Sequence, residues 1–593
     1  MKSAWKLCAM MLLATGLVAQ TSTAPKPKKK SAPITAADVQ ALKDAIASQQ
    51  AALAQQQKEI QQLQEQLQQR DQAVQQAQTA ATDAASKADA AQSTATQQQQ
   101  SVTELKNDVS DLKTNVANTV VSVQETQKRV AEPATTIHFK GITITPGGFL
   151  AAESVYRTRG LGGDINTPFN TVPMPGASTT NISEFFGSGR QSRISMLAEG
   201  KSGSVAMSGY YEADFLSAGV TSNNNESNSY TLRQRQMWGK AALDNGWSFT
   251  GGQQWSLVTE TKVGMDNRTE ALPMTIDPQY HVGFSWTRQY GFRVVKNLNN
   301  KVWFGFAVEN AQATLTSHGN ANNFLLGTAG VLGGLYNNQT TYSFNPSPDL
   351  VAKMVFEPGF GHYEVYGIFS RFRDRVFPCE DVLSTTTCGT SSTPGPNATA
   401  AFNSSKNGGG IGANARWSFA QKHVDFGLHG LGGSGIGRYG STGLADTAVH
   451  ADGTLYLVKS LQGLTTLELH YPKIDVYFNV GAEYAGRAAS VDPVTGKEVG
   501  YGAPLFNNSG CYTETGPGSG GFAPGGLSSC TADTRVMIEG TAGFWHKIHS
   551  GPKGRIQWGL QYSYLDRTTW SGAGFEPHGI DNMVFSSFRY YLP

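Results

Sequence analysis

The chain reads as an all-β transmembrane barrel of about 16 antiparallel strands preceded by a long α-helical coiled coil. Three observations predict this. Composition changes abruptly near residue 135: no glycine lies between Gly16 and Gly141, no aromatic residue between Trp5 and Phe139, and no proline between Pro33 and Pro133. An unbroken heptad stripe runs through the first polymer, and apolar/polar alternation at period two runs through the second. Overall, 47 Lys+Arg against 45 Asp+Glu leave a net charge of +2, which argues against a nucleic-acid partner. Beyond the N-terminus no apolar run approaches the ~20 residues of a spanning helix, so a polytopic helical membrane protein is excluded.

Residues 1–24 have the form of an export signal. Lys2 and Lys6 precede the apolar stretch Leu7–Ala19, with cleavage expected near Ala19 or Ala24. Cys8 lies at the start of that stretch, not after it as a lipidated cysteine would. Residues 25–38 form a Lys/Pro-rich linker. Its Lys26, Lys28, Lys29 and Lys30 suit a solvated tether, with contact to anionic cell-wall polymer as the alternative.

Residues 39–132 read as a periplasmic coiled coil. From Val39, every seventh residue through Val130 is apolar: Val39, Ile46, Leu53, Ile60, Leu67, Val74, Ala81, Ala88, Ala95, Val102, Val109, Val116, Val123 and Val130. Period 3.5 implies a left-handed supercoil, and at 1.5 Å rise the rod would be about 140 Å long. Mixed d positions, such as Leu42 and Leu105 beside Gln49 and Arg70, leave the strand number open.

Residues 137–593 carry the barrel. Val205, Met207, Gly209, Tyr211, Ala213 and Phe215 alternate with Ser204, Ser208, Glu212 and Asp214. Trp247, Phe249, Gly251, Gln253, Trp255 and Leu257 alternate with Ser248, Thr250, Gln254 and Ser256, and Trp558, Leu560, Tyr562 and Tyr564 with Gln557, Gln561 and Ser563. One face of each suits lipid, the other water. Sixteen such segments are separated strictly in turn by short joins and long loops, which puts both ends of the barrel on the short-turn side. An extra strand at Thr454–Lys459 with a partner would make eighteen. Cys379 and Cys388 share one long loop and Cys511 and Cys530 another. Two local disulfides are the simplest pairing, with other connectivities open. Without CxxC spacing or paired histidines no metal site is expected, and no cofactor is called for.

Short blocks give the domain a family likeness: Arg190-Gln-Ser-Arg-Ile-Ser-Met-Leu-Ala-Glu-Gly200, Gly209-Tyr-Tyr-Glu-Ala-Asp-Phe215, Leu232-Arg-Gln-Arg-Gln236, Gly252-Gln-Gln-Trp-Ser256, Trp286-Thr-Arg-Gln-Tyr-Gly-Phe-Arg293, Gly435-Ile-Gly-Arg-Tyr439 and the terminal Phe588-Arg-Tyr-Tyr-Leu-Pro593. It resembles bacterial outer-membrane porins, above all the DcaP-like group with its N-terminal coiled coil. The likeness implies a homotrimeric channel for small hydrophilic solutes in the outer membrane of a Gram-negative bacterium, embedded in its lipid. It also implies that the third long loop, 258–283, folds inward to narrow the pore with Glu260, Asp266 and Asp277.

Parity points Arg193, Arg233, Arg235, Arg293, Glu212 and Asp214 into the lumen, since charge facing lipid is costly. Rows of arginine suit carboxylate or phosphate groups, and Arg233 with Arg235 form the leading candidate contact. The competing expectation is that these charges pair with one another across strands. No GxSxG, HExxH or P-loop is present, and His450 with Asp452 reads as loop rather than catalytic dyad, so an enzyme is not expected. Rival roles are an anchor tethering the envelope through the coil and a surface adhesin or receptor using the long loops.

Overall fold

The structure is a computed structural model describing residues 44, 47–48, 136–217, 230–320, 323–325, 344–378, 400–516 and 530–593. The chain divides into two units, Met1–Ala131 and Glu132–Pro593. Of the predicted coil only Asp44, Ala47 and Ser48 are described, as exposed helical residues. The signal segment, the lysine linker, the rest of the coil and the Cys379–Cys388 pair lie outside the described residues.

A strand whose faces meet lipid and water must close its hydrogen bonds sideways, which a ring of strands does without leaving an edge. Here the ring has sixteen. They are β1 (Ile142–Arg157), β2 (Glu184–Ser188 continued by Arg193–Ser202), β3 (Val205–Asp214), β4 (Arg233–Leu243), β5 (Trp247–Trp255), β6 (Arg288–Leu298), β7 (Val302–Glu309) and β8 (Asp349–Phe356). The second half comprises β9 (His362–Val376), β10 (Phe402–Phe419), β11 (Val424–Ser434), β12 (Lys459–His470), β13 (Ile474–Ala485), β14 (Thr534–Gly551), β15 (Gly554–Thr569) and β16 (His578–Tyr591). Each is antiparallel to the next, and β16 closes on β1 through Phe149↔Tyr591 to Arg157↔Met583. The expected count of sixteen therefore stands. Leu455–Leu457 pairs only with Thr447–Val449, in a hairpin outside the ring, so the feared extra strand does not enter the wall.

The period-two pattern appears as burial. Along β15, Trp558, Leu560, Tyr562 and Tyr564 are exposed while Gln557, Gln561 and Ser563 are buried. Along β12, exposed Leu461 alternates with buried Ser460 and Gln462. A globule in water does the reverse, so this inversion is the physical mark of a wall between lipid and a polar interior. The exposed outer face includes Ile194, Phe249, Phe292, Phe304, Ile411, Phe478 and Val480.

Three residues depart from the expected parity; Ala213, next to a register shift near the end of β3, is buried. Trp255 and Leu257, placed with the lipid face from sequence, are both buried, in clusters with Tyr280 and Phe284 and with Met265 respectively. The reason is that β5 ends at Trp255 and the chain turns off the wall into the lumen, where alternation no longer governs. Cys511 and Cys530 are disulfide-bonded in one long loop, as the local pairing expected.

Candidate functional site

The segment after β5 crosses the barrel interior instead of covering its mouth. Its backbone carries orphan donors that water would satisfy outside. Inside, they are met by inward side chains of the opposite wall. Leu257 N–H donates to Glu309 of β7 (2.8 Å), Thr261 N–H to Glu364 of β9 (2.9 Å) and Ile276 N–H to Gln561 of β15 (2.6 Å). Val282 N–H donates to Glu539 of β14 (2.9 Å) and Gly283 N–H to Glu483 of β13 (2.8 Å). One loop thereby reaches strands on both sides of the lumen.

Ionic contacts concentrate in the first half. Glu260 is buried, 3.0 Å from His429 Nδ1 and 3.4 Å from Arg416 Nε. Lys353 Nζ stands 2.7 Å from Glu364 and donates to the Thr259 carbonyl at 2.9 Å. His362 sits between Glu357 (2.8 Å) and Glu364 (2.9 Å). The tip residue Asp266 reaches Lys240 at 2.8 Å and stays exposed.

The second half packs by shape. Ile276 and Val282 are fully buried beside Met537, Trp545 and Leu565. Asp277 is buried too. Its Oδ1 accepts N–H bonds from Gln279 (2.8 Å) and Thr167 (3.3 Å), while its Oδ2 has no partner. Burial pushes this carboxyl up to about 7, and pushes neighbouring His281 down to about 4. The wall backbone comes close enough that a Cβ added at Gly481 would sit 1.9 Å from the Val282 carbonyl oxygen.

The loop separates two cavities. One of about 530 Å³ on the long-loop side is lined by Gln279, Trp286, Arg288, Arg438 and Asn166 among others. The other, of about 320 Å³ on the short-turn side, is lined by Arg193, Arg555, Arg589, Asp475, Trp545 and Tyr591.

The arginines expected to meet solute behave unequally. Arg235 is buried against its neighbours: Nε bonds Glu212 at 2.6 Å, Nη1 bonds Asp214 at 2.8 Å and Nη2 donates to Tyr280 at 3.2 Å. Arg233 forks onto Asp214 with two 2.8 Å bonds and keeps about a third of its side chain exposed. Arg293 is buried and donates to the Trp255 carbonyl. For Arg235, mutual pairing prevails, because Glu212 and Asp214 face it from the adjoining strand.

The arginines that line the short-turn cavity are Arg193, Arg555 and Arg589. Arg193 stacks on Phe149 (5.1 Å), Arg555 on Tyr591 (4.4 Å) and Arg589 on Trp545 (4.6 Å). Arg193 Nε and Arg555 Nε have no hydrogen-bond partner, whereas Arg589 is held by Glu153 at 2.7 Å. Lys353, His362 and Arg288 were not singled out in the sequence. Parity alone would have placed Lys353 inward with Glu364.

No protein-family model matches the chain, and no curated protein matches it by sequence. Solved structures do. The crystal structure of the outer membrane channel DcaP of Acinetobacter baumannii aligns with a TM-score of 0.51 and 14% identity, over 77% of this chain and 99% of that one. OmpT, an outer membrane protein of Vibrio cholerae, aligns at 0.38 with 10% identity, over 77% and 100%. An anion-selective porin from Comamonas acidovorans aligns at 0.37 with 9% identity, over 76% and 100%. The described barrel thus has the fold of the DcaP channel, in agreement with the resemblance carried by its short sequence blocks.

Proposed function

We propose that this chain is an outer-membrane porin through which small hydrophilic solutes diffuse passively, with carboxylate-bearing anions favoured. The observation that carries the reading is the loop 258–283, fixed to both sides of a polar-lined lumen with a cavity on either face. Such a strut narrows a passage without sealing it by an apolar plug, and the groups around the narrowing set the ion preference. Anion preference is supported by Arg193, Arg555 and Arg589, whose side chains line the short-turn cavity. Arg233 adds a further, half-exposed cation; Glu260 and Asp277 serve to hold the loop. The coiled coil assists assembly into a homotrimer and lies in the periplasm, a reading supported by the heptad stripe and the porin resemblance.

Planar-bilayer recording on the full chain in a salt gradient tests this. Discrete conductance steps and a reversal potential of anionic sign are expected, and Arg193→Gln with Arg555→Gln should move the potential toward cation preference. Absence of conductance from correctly folded protein would refute the channel. Deleting residues 20–135 should leave the unitary conductance unchanged while lowering the trimer fraction.

A further inference from the structure

The long-loop cavity of about 530 Å³ is lined by cations and amides. No aspartate or glutamate contributes to its lining, whereas Arg288, Arg438, Asn166, Gln279, Gln289 and Trp286 do. Arg438 is committed: it is ion-paired with Asp349 and donates to the Tyr439 hydroxyl at 3.0 Å. Arg288, in contrast, makes no side-chain hydrogen bond and no ion pair among the described residues, and its Nη1 is buried without a partner. Its guanidinium lies over the rings of Trp255 (5.0 Å) and Trp286 (5.3 Å). Asp214, the acid whose field reaches it, is already forked by Arg233 and bonded by Arg235.

A guanidinium held among rings with no counter-charge is costly, and an anionic oxygen arriving in the cavity relieves that cost. One uncommitted cation matches one anionic group. The other polar groups suit a different chemistry. The side-chain amides of Asn166 and Gln289 have no partner among the described residues. Gln279 spends its Nε2 on the Ser441 carbonyl (2.9 Å), which leaves Oε1 as an acceptor. An amide offers donors and an acceptor together, which is what an alcohol group needs. Trp286 is fixed by its Nε1 bond to Ser441 Oγ (2.9 Å) and supplies apolar surface for ring carbons.

We propose that this cavity binds a monoanionic sugar acid of the uronate type, with its carboxylate on Arg288 and its hydroxyls on Asn166, Gln279 and Gln289. The site rests on the porin reading and adds a solute class to it. Alternation could not reveal Arg288, which shares the parity of the exposed Tyr290 and Phe292 yet lines the cavity from the first residue of β6, where the wall begins.

The test is calorimetric titration of the full chain in detergent with glucuronate, glucose and succinate. Glucuronate should bind about tenfold tighter, or more, than glucose, which lacks the charge, and than succinate, which lacks the hydroxylated ring. Equal affinity for glucuronate and either control would overturn the assignment, and this comparison needs only the wild type. Arg288→Gln should weaken glucuronate binding about ten- to a hundredfold, the worth of a charge-assisted hydrogen bond. An unchanged affinity there sinks the site. Loss of the glucuronate preference in Arg193→Gln with Arg555→Gln, rather than in Arg288→Gln, would move it to the other cavity. Bilayer recording separates this site from the channel. Conductance without glucuronate binding removes the site and leaves the porin; glucuronate binding without conductance keeps the site and removes the porin.

Discussion

The two halves of the inward loop are held by different physics. Residues 258–270 add charge to the burial of Val258 and Met265: Glu260 against Arg416 and His429, and Thr259 and Thr261 against the buried Lys353–Glu364 pair. Residues 271–283 are fixed by fit: Ile276 and Val282 buried in an apolar cluster, and backbone N–H groups capped by single side chains. Ion pairs are long-ranged and tolerate small shifts, whereas a backbone seated on a glycine tolerates almost none. The first half therefore sets the field in the lumen, and the second sets where the loop lies.

The largest effect should come from the fitted half. Gly481→Ala puts a methyl 1.9 Å from the Val282 carbonyl, and both atoms belong to or adjoin backbone, so the loop must leave the wall. Unitary conductance is expected to rise several-fold with frequent sub-states, and an unchanged value would mean that this half does not define the narrowing. Glu260→Gln should act less and differently. It removes one partner of a buried ionic group, a change costing about 3–5 kcal/mol, but leaves the second half in place. Thermal unfolding should shift down, conductance should rise modestly, and selectivity should move toward anions.

How much of this contrast was legible in the sequence follows from what each element must satisfy. Lipid and water act on every wall residue independently, so Trp558–Gln557–Leu560–Gln561 declares its faces with no knowledge of neighbours. The sixteen strands follow from that local rule and from loop lengths, whereas Leu455–Leu457, left open in sequence, is kept out of the ring by its pairing with Thr447–Val449. Pairing among inward charges is not local. Arg235 could face solute or Glu212, and only the seating of Tyr280 from the loop closes the choice. Likewise Asp277 reads as a lumen acid in sequence, yet the Thr167 and Gln279 amides enclose it.

Titration sharpens the comparison further. With its carboxyl raised from about 3.8 to about 7, Asp277 binds more protons in the folded loop than in the unfolded chain over that interval. Its contribution is thus fully present below about pH 4 and is lost as pH rises through about 7. Open-channel noise should increase between pH 6 and 8 in the wild type. In Asp277→Asn, which stays neutral, that rise should vanish, whereas Glu260→Gln should retain it. The same step in both variants would assign the titration to another group.

The smallest effect on conduction is expected from the disulfide. Cys511 and Cys530 close a segment of sequence separation 19 in a long loop, and neither lines either cavity. Loop-closure entropy gives such a bridge about 3 kcal/mol, exerted on the unfolded ensemble rather than on the lumen. Cys511→Ser with Cys530→Ser should therefore lower the unfolding temperature and speed proteolysis of 512–529 from the outside, while conductance and reversal potential stay at wild-type values. A shift in reversal potential would show that the outer loop and the inner strut are coupled. The strut's position would then depend on the loops above it as well as on the Gly481 contact.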